Sequence, residues 1–458
     1  MLAPRVPRRS AALSAAVLAV TLASGCAGAQ ASQSAQANPM TTWIGDNAEP
    51  LKRTDASGSV ADLASLRPIV KDAKVVALGE PSHGTHEQLT VRHRAIRYLV
   101  EELGFRTVAW EESWGSGVAI DRYVVTGKGD AREVVSQMGF QWRSEAMLGL
   151  VRWIREFNRD RADDDKVRFL GADVMEVRAI PFDEVRRYVK DVAPGRLKEL
   201  DRDLRPIRYR GTLEAHFGWY FKQSPKQQRE LVRHARAVKE LVDGLPAGMS
   251  RIDLDDAVQH ATTILGFYES YAEQIAEAPE PVRDQYIADL IDGWQRRTGH
   301  RIVYNAANVH TTAAPRVTWQ FPPDPSALRN KVMAGGHLRK RYGRSYISIG
   351  TVSHRGKILG GWELGPPSVF TVPPPGRAMI DHILGTAKHP NYLLDLRAKA
   401  PAQVRKWLAA PATMRIIGSA YDAKKDADYM MRIDSMGGGF DAILHLGRTT
   451  PTRLLKEG

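Results

Sequence analysis

Two rhythms of apolar residues alternate along the chain. Short, β-branched runs fall at 75–78 (VVAL), 106–110 (RTVAW), 167–170 (VRFL), 301–304 (RIVY) and 346–351 (YISIGT), with the length and composition of buried strands. Between them the apolar positions move to helical spacing. In 88–103, Leu89, Val91, Ile96, Leu99, Val100 and Leu103 mark one face and Gly104 supplies a stop. In 145–157, Met147, Leu148, Leu150, Val151, Ile154 and Phe157 do the same. Shorter helices are predicted over 120–125 and 133–138, another over 286–296, and late strands over 392–396 and 442–446. From about 182 to 285 the strand rhythm vanishes, and stripes in 227–245 and 254–275 read as a helical insertion. The Pro- and Gly-rich stretch 362–375 reads as an irregular loop. The pattern predicts an α/β fold: a central, mainly parallel sheet flanked by helices, with a large helical insertion forming a cap over the sheet edge.

Polar residues gather where the predicted strands end. After 75–78 comes Gly79 and then Glu80-Pro81-Ser82-His83-Gly84-Thr85-His86-Glu87, two carboxylates and two imidazoles in eight residues. The second strand runs into Glu111 and Glu112, the third into Asp173, and the strand at 301–304 into Asn305, Asn308 and His310. Parallel strands of one sheet align their C-terminal ends, so these groups are expected along one edge, where open α/β sheets place their sites. Glu87 alone is equally well explained as a first-turn acid of the following helix, and a helix start is the simplest reading of His86. His216, His234 and His260, isolated on the insertion's helices, are expected to be structural or solvated.

The N-terminus adds a location. Arg5, Arg8 and Arg9 precede an apolar stretch over 11–23, of signal-peptide length and too short to span a membrane. Leu22-Ala23-Ser24-Gly25-Cys26 resembles a bacterial lipobox, and Cys26 is the single cysteine of the chain. The expectation is a signal peptide over 1–25, a flexible tether over 26–42 anchored by lipid on Cys26, and a folded domain over 43–458. The protein would then be exported and face outward at the membrane. Cleavage near Ala29 without lipidation would make it secreted. In neither case can an intrachain disulfide staple it. The formal charge of +13 falls to +10 without the three leader arginines. Basic residues are scattered among acids with no reader motif, so no nucleic-acid partner is expected.

Several chemistries are excluded by motif. There is no Gly-x-Ser-x-Gly elbow, no phosphate loop and no dinucleotide fingerprint, and the one thiol belongs to the anchor. Acid–base work by histidine and carboxylate remains. An imidazole can take a proton from water near neutral pH while a neighbouring carboxylate fixes its tautomer, and Glu80 and His83 are spaced for such a pair. Glu80, His83, His86, Glu111 and His310 are also acceptable zinc ligands, although the helical His-Glu-x-x-His arrangement is missing. The residues alone leave both readings open.

Gly79-Glu80-x-x-His83-Gly84-x-x-Glu87 with Arg92, then Val108-Ala109-Trp110-Glu111 and Gly171-x-Asp173, resemble the erythromycin esterase family. Asn308-Val309-His310 and the segment Phe440-Asp441-Ala442-Ile443-Leu444-His445 carry the resemblance on, over roughly 43–455. It implies a hydrolase that activates water with histidine, needs no cofactor or obligate protein partner, and acts on a small-molecule ester or lactone, with macrolide inactivation (antibiotic resistance) as one outcome. By the resemblance His83 is the general base, Glu80 its carboxylate, Arg92 an active-site arginine, Glu111 the acid of the second strand and His310 a second histidine. One position departs: Ala307 stands where the family commonly has a histidine, which puts macrolide hydrolysis in doubt. The same architecture occurs in metal- and haem-binding proteins, so the alternatives are an extracytoplasmic metal or haem binder, a metal-dependent hydrolase, or a non-catalytic envelope protein.

Overall fold

The computed structural model describes residues 38–247, 251–276, 282–320, 329–361, 366–418 and 421–456. The leader, Cys26 and most of the expected tether lie outside them. The chain opens with α1 (Pro39–Asn47), β1 (Ala48–Pro50) and α2 (Leu66–Val70). Then β2 (Val75–Glu80) leads into α3 (His86–Leu103), and β3 (Thr107–Ser113) into α4 (Trp114–Thr126), α5 (Ala131–Ser136) and α6 (Glu145–Asn158). After β4 (Arg168–Asp173) come α7 (Ala179–Val192), α8 (Leu197–Ile207), α9 (Leu213–Tyr220), α10 (Pro225–Asp243), α11 (Arg251–Ala276) and α12 (Val282–Thr298). The remainder is β5 (Ile302–Ala307), α13 (Asn308–Thr311), β6 (Val317–Gln320), β7 (Arg329–Lys331), α14 (Ala334–Tyr342), β8 (Tyr346–Gly360), β9 (Ser368–Val372), α15 (Ile380–Leu384), β10 (Asn391–Asp395), α16 (Ala402–Leu408), β11 (Ala412–Arg415), β12 (Met430–Ile433), α17 (Met436–Gly439) and β13 (Ala442–Thr449).

The main sheet runs β1-β10-β13-β8-β2-β5-β3-β4, with β9 paired to the far end of β8. From β13 to β4 every pairing is parallel, and only β1, β10 and β9 are antiparallel. The strand predicted over 75–78 is β2, which lies centrally between β8 and β5 and is buried at all six positions through Glu80. Helix α3 stops at Gly104, whose φ of 71° is the left-handed cap conformation that glycine adopts without strain. Among the described residues no helix is long and apolar enough to cross a membrane.

Three regions differ from expectation. Helix α1 begins at Pro39, capped by the Asn38 side chain on the Met40 N–H, so ordered chain starts inside the stretch expected to be tether. The 362–375 loop contains β9, because Ser368–Val372 extends along the second half of β8; residues 362–365 lie outside the description. A second, antiparallel sheet, β11-β12-β6-β7, was not foreseen at all. The helical block runs from Ala179 to Thr298, within a few residues of the expected insertion and the helix after it, and its apolar stripes close on a core of their own that includes Val185, Leu204, Tyr220, Val238 and Phe267.

Gly79 shows how tightly the sheet edge is built. A Cβ there would overlap the Asn308 Oδ1 and sit 2.7 Å from Thr311 Oγ1. Asn308 needs that space, since its amide donates to the Thr351 carbonyl at 2.7 Å and accepts the Thr351 N–H at 3.1 Å, clamping the end of β5 to β8. Gly79→Ala is expected to destabilise the fold by about 1–3 kcal/mol, the usual cost of overpacking. Urea denaturation of the variant beside wild type measures it.

Candidate active site

Glu80 ends β2 with 1% of its surface exposed, and each of its oxygens has a separate cationic or donor partner. The His83 Nδ1–H donates to Oε1 at 2.7 Å, and Arg92 Nη2 donates to Oε2 at 2.6 Å. Local sequence sets this up. The Gly84 φ of 79° lets the loop turn sharply after His83, and α3 starts two residues later, placing Arg92 in its second turn facing the strand end. Arg92 is 1% exposed, its guanidinium 4.8 Å from the Trp110 ring centroid and 5.8 Å from that of Trp142. Burial lowers the Arg92 pKa, only partly offset by Glu80 and Glu111. An ionised carboxylate only accepts, so Nδ1 of His83 carries the proton and Nε2 keeps its lone pair when the ring is neutral. Burial pulls the His83 pKa down, but the Glu80 hydrogen bond and charge, with the charge of Glu111, outweigh it and leave the group raised above 6.5.

A second network lies beside the first. Glu111 on β3 accepts the Ala307 N–H at 2.8 Å and an Arg283 Nη2–H at 2.9 Å. Arg283 also donates to both oxygens of Asp173, at 3.0 and 2.5 Å, and its Nη1 lies 3.3 Å from His310 Nε2. His310, on α13 just past β5, donates from Nδ1 to Asp284 at 2.7 Å, and its Nε2 is 3.5 Å from Glu111. Asp284 is fixed in turn by the Ala334 N–H at 2.9 Å. Burial alone would raise the Glu111 pKa, yet His310, His83, Arg283 and the Ala307 N–H hold it down at about 2. Burial lowers the pKa of His310, and Asp284 and Glu111 more than compensate. A quarter of the Arg283 side chain is exposed, the most open group of this network.

All five residues singled out for catalysis therefore converge. Glu80, His83 and Arg92 form one hydrogen-bonded unit, and Glu111 and His310 belong to the other. The register of β2 against β5, which pairs Glu80 with Ala307, sets them side by side. Ala307 is buried and serves Glu111 through its backbone. Asp173 joins through Arg283, as its place at a strand end suggested. His86 is the first residue of α3, with a backbone bond to Thr450. His445 stacks on Tyr392 and donates to the Pro390 carbonyl, away from both networks. On the insertion, His234 pairs with Asp203, His260 accepts from Trp114, and His216 is buried among aromatic rings. Among the described residues no three His, Cys, Asp or Glu side chains are grouped to hold a metal ion.

Sequence reasoning missed Arg283, Asp284 and Trp142. The first two open α12 in a stretch without motif, where an Arg-Asp pair looks like any solvated helix start. Trp142 lies in a short turn between helices, and its indole packs 5.0 Å from the His83 ring. The neighbouring Glu112 projects from β3 to take the Gly139 N–H at 2.8 Å, and burial raises its pKa. Glu176 is pushed up to about 7 by burial and by Glu112.

A family model described as erythromycin esterase matches residues 100–449. The Escherichia coli protein named erythromycin esterase type II is 24% identical over 340 residues, 69% of this chain and 77% of that protein. Among solved structures, a Bacillus cereus protein superposes with a TM-score of 0.78 at 24% identity, covering 91% of this chain and 98% of that one. A mutant of the erythromycin esterase EreC in its open conformation gives 0.67 at 18% identity, covering 88% and 97%. These structural likenesses establish the α/β fold.

Arg283 is the sole cation contacting both Asp173 and Glu111 among the described residues' ion pairs. Arg283→Leu would leave two buried carboxylates without it, a change that typically costs about 3–5 kcal/mol. Chemical denaturation should show a loss of that order, partly restored in Arg283→Lys.

Proposed function

Because the chain belongs to the erythromycin esterase family, we propose that it is a hydrolase in which His83 activates water against an ester or lactone carbonyl. The observation that carries this reading is the Glu80–His83 pair, 2.7 Å apart, with the imidazole proton committed to Glu80 and 19% of the His83 side chain open. In the proposed step Nε2 accepts a proton from water, and the hydroxide oxygen bonds to the carbonyl carbon. The tetrahedral intermediate then expels the alkoxide, which takes up the proton. Glu80 holds the tautomer and stabilises the imidazolium.

The roles follow exposure. Arg92, an active-site arginine by the resemblance, is almost fully buried, so it acts through Glu80, fixing that carboxylate with a 2.6 Å hydrogen bond. Arg283 is the donor disposed to face a developing oxyanion; His310, its Nδ1–H spent on Asp284, positions the guanidinium through Nε2, 3.3 Å from Arg283 Nη1, and Glu111 holds Arg283 from the strand side. Ala307 leaves this site without a histidine the family commonly supplies, so the substrate could be an ester other than a macrolide. The leader-like pattern of residues 1–25 and the lipobox-like Cys26 support a reaction outside the cytoplasm, on a lipid-anchored protein.

The test is incubation of a soluble form beginning at residue 27, which keeps α1 and its Asn38 cap, with a 14-membered macrolide and a panel of simple esters, read by mass spectrometry. A product heavier by one water, or the acid and alcohol of a cleaved ester, is expected. The rate should fall about 10²–10⁴-fold in His83→Ala with the fold intact. Unchanged turnover in His83→Ala would overturn the assignment of the base.

A further inference from the structure

We infer that Trp142 is a positioning residue of this site, holding the plane of the His83 ring and tying it to Glu111; the inference rests on His83 being the base. The segment carrying Trp142 is pinned at both ends. Glu112 accepts the Gly139 N–H at 2.8 Å, and the Arg143 carbonyl accepts the Leu455 N–H at 3.0 Å. Within it, 139–143 make one turn of 3-10 helix that directs Trp142 inward, with no measurable exposure. The indole N–H donates to the Glu111 carbonyl at 2.8 Å. The ring meets Trp110 at 5.4 Å and 90°, and His83 at 5.0 Å and 75°.

One hydrogen bond fixes where Nδ1 of His83 points but leaves the imidazole free to rock about that bond. A rigid ring set nearly perpendicular against it removes this freedom, so that Nε2 is aimed in one direction. Trp142 also packs near the Glu80–Arg92 pair, its ring centroid 5.8 Å from the Arg92 guanidinium. Because the same indole is bonded to the Glu111 backbone, it fixes the spacing between the strand-end acid and the base. No titratable group of its own is needed for any of this. Misplacement of a reacting group by about an ångström can cost about 10²-fold in rate, so the predicted defect lies in kcat and not in binding.

The experiment compares Trp142→Leu and Trp142→Phe with wild type, using steady-state kinetics on an accepted ester and ¹⁵N NMR of the histidine-labelled protein, with the His83 signals assigned from His83→Gln. In wild type His83 should show a single neutral tautomer protonated on Nδ1. Trp142→Leu should keep that tautomer, which Glu80 sets, but show His83 ring signals broadened by motion and a kcat lowered by about tenfold or more with KM within about twofold. Trp142→Phe, which keeps a ring against His83, should recover most of both. If Trp142→Leu does not fold, Trp142→Met fills the space with a flexible chain and carries the same comparison. A folded Leu or Met variant with wild-type His83 line widths and wild-type kcat would overturn the proposal, as would kcat losses that simply follow losses of stability in every variant. Broadened His83 signals in Trp142→Leu of a protein that hydrolyses no ester would instead remove the esterase reading and leave the positioning of the ring standing.

Discussion

A carboxylate buried at the end of a central strand constrains everything around it. Glu80 has almost no access to water, and an ion so placed is tolerated only if its oxygens are met by strong donors. The chain meets one with His83, three residues on, and the other with Arg92, one and a half turns into α3 beyond the Gly84 turn. Arg92 is itself a buried charge, and it is accommodated between Glu80 and the faces of Trp110 and Trp142. Replacing such a cluster with apolar residues would often stabilise a fold. Its presence at a strand end is therefore better explained by what the imidazole does than by what the ion pair contributes to folding.

The second network repeats the logic with parts drawn from farther apart. Glu111 and Asp173 come from adjacent parallel strands, and the guanidinium that joins them comes from α12, well over a hundred residues after β3. The same helix turn supplies Asp284 to His310. The last helix of the insertion thus completes the site at the sheet edge, while α7 to α11 pack largely around a separate apolar core. Each imidazole spends its Nδ1 on a carboxylate and presents Nε2, giving two rings of defined tautomer with different surroundings. That division suits a reaction that removes a proton in one place and steadies negative charge in another.

Much of this is legible in the sequence. Short continuous apolar runs and period-3.6 stripes located the parallel strands and the helices between them, since a strand buried on both faces and an amphipathic helix write distinct signatures. The alignment of strand ends followed from parallel topology, so Glu80, Glu111 and Asp173 could be grouped from sequence. Less visible was whatever depends on pairing across distance. Strands β6, β7, β11 and β12 are three or four residues each, too short for periodicity to register, and they exist because they pair with one another. Strand β9 was hidden among prolines for the same reason. Arg283, Asp284 and Trp142 have ordinary neighbours in sequence, and their roles arise only from what the fold brings against them.

The central claim is that Glu80 sets the proton affinity of His83 and so its fitness as a base. The most direct test is the pH dependence of kcat/KM for wild type and Glu80→Gln on the same ester. His83 must be unprotonated to act, so the rate should fall as pH drops through its pKa. In wild type that acid limb should lie above 6.5, because Glu80 and Glu111 raise His83 against the effect of burial. In Glu80→Gln the raising charge is gone and Arg92 is left unopposed, so the limb of the residual activity should move to lower pH. An acid limb that stays in place when Glu80 is neutralised would contradict the account.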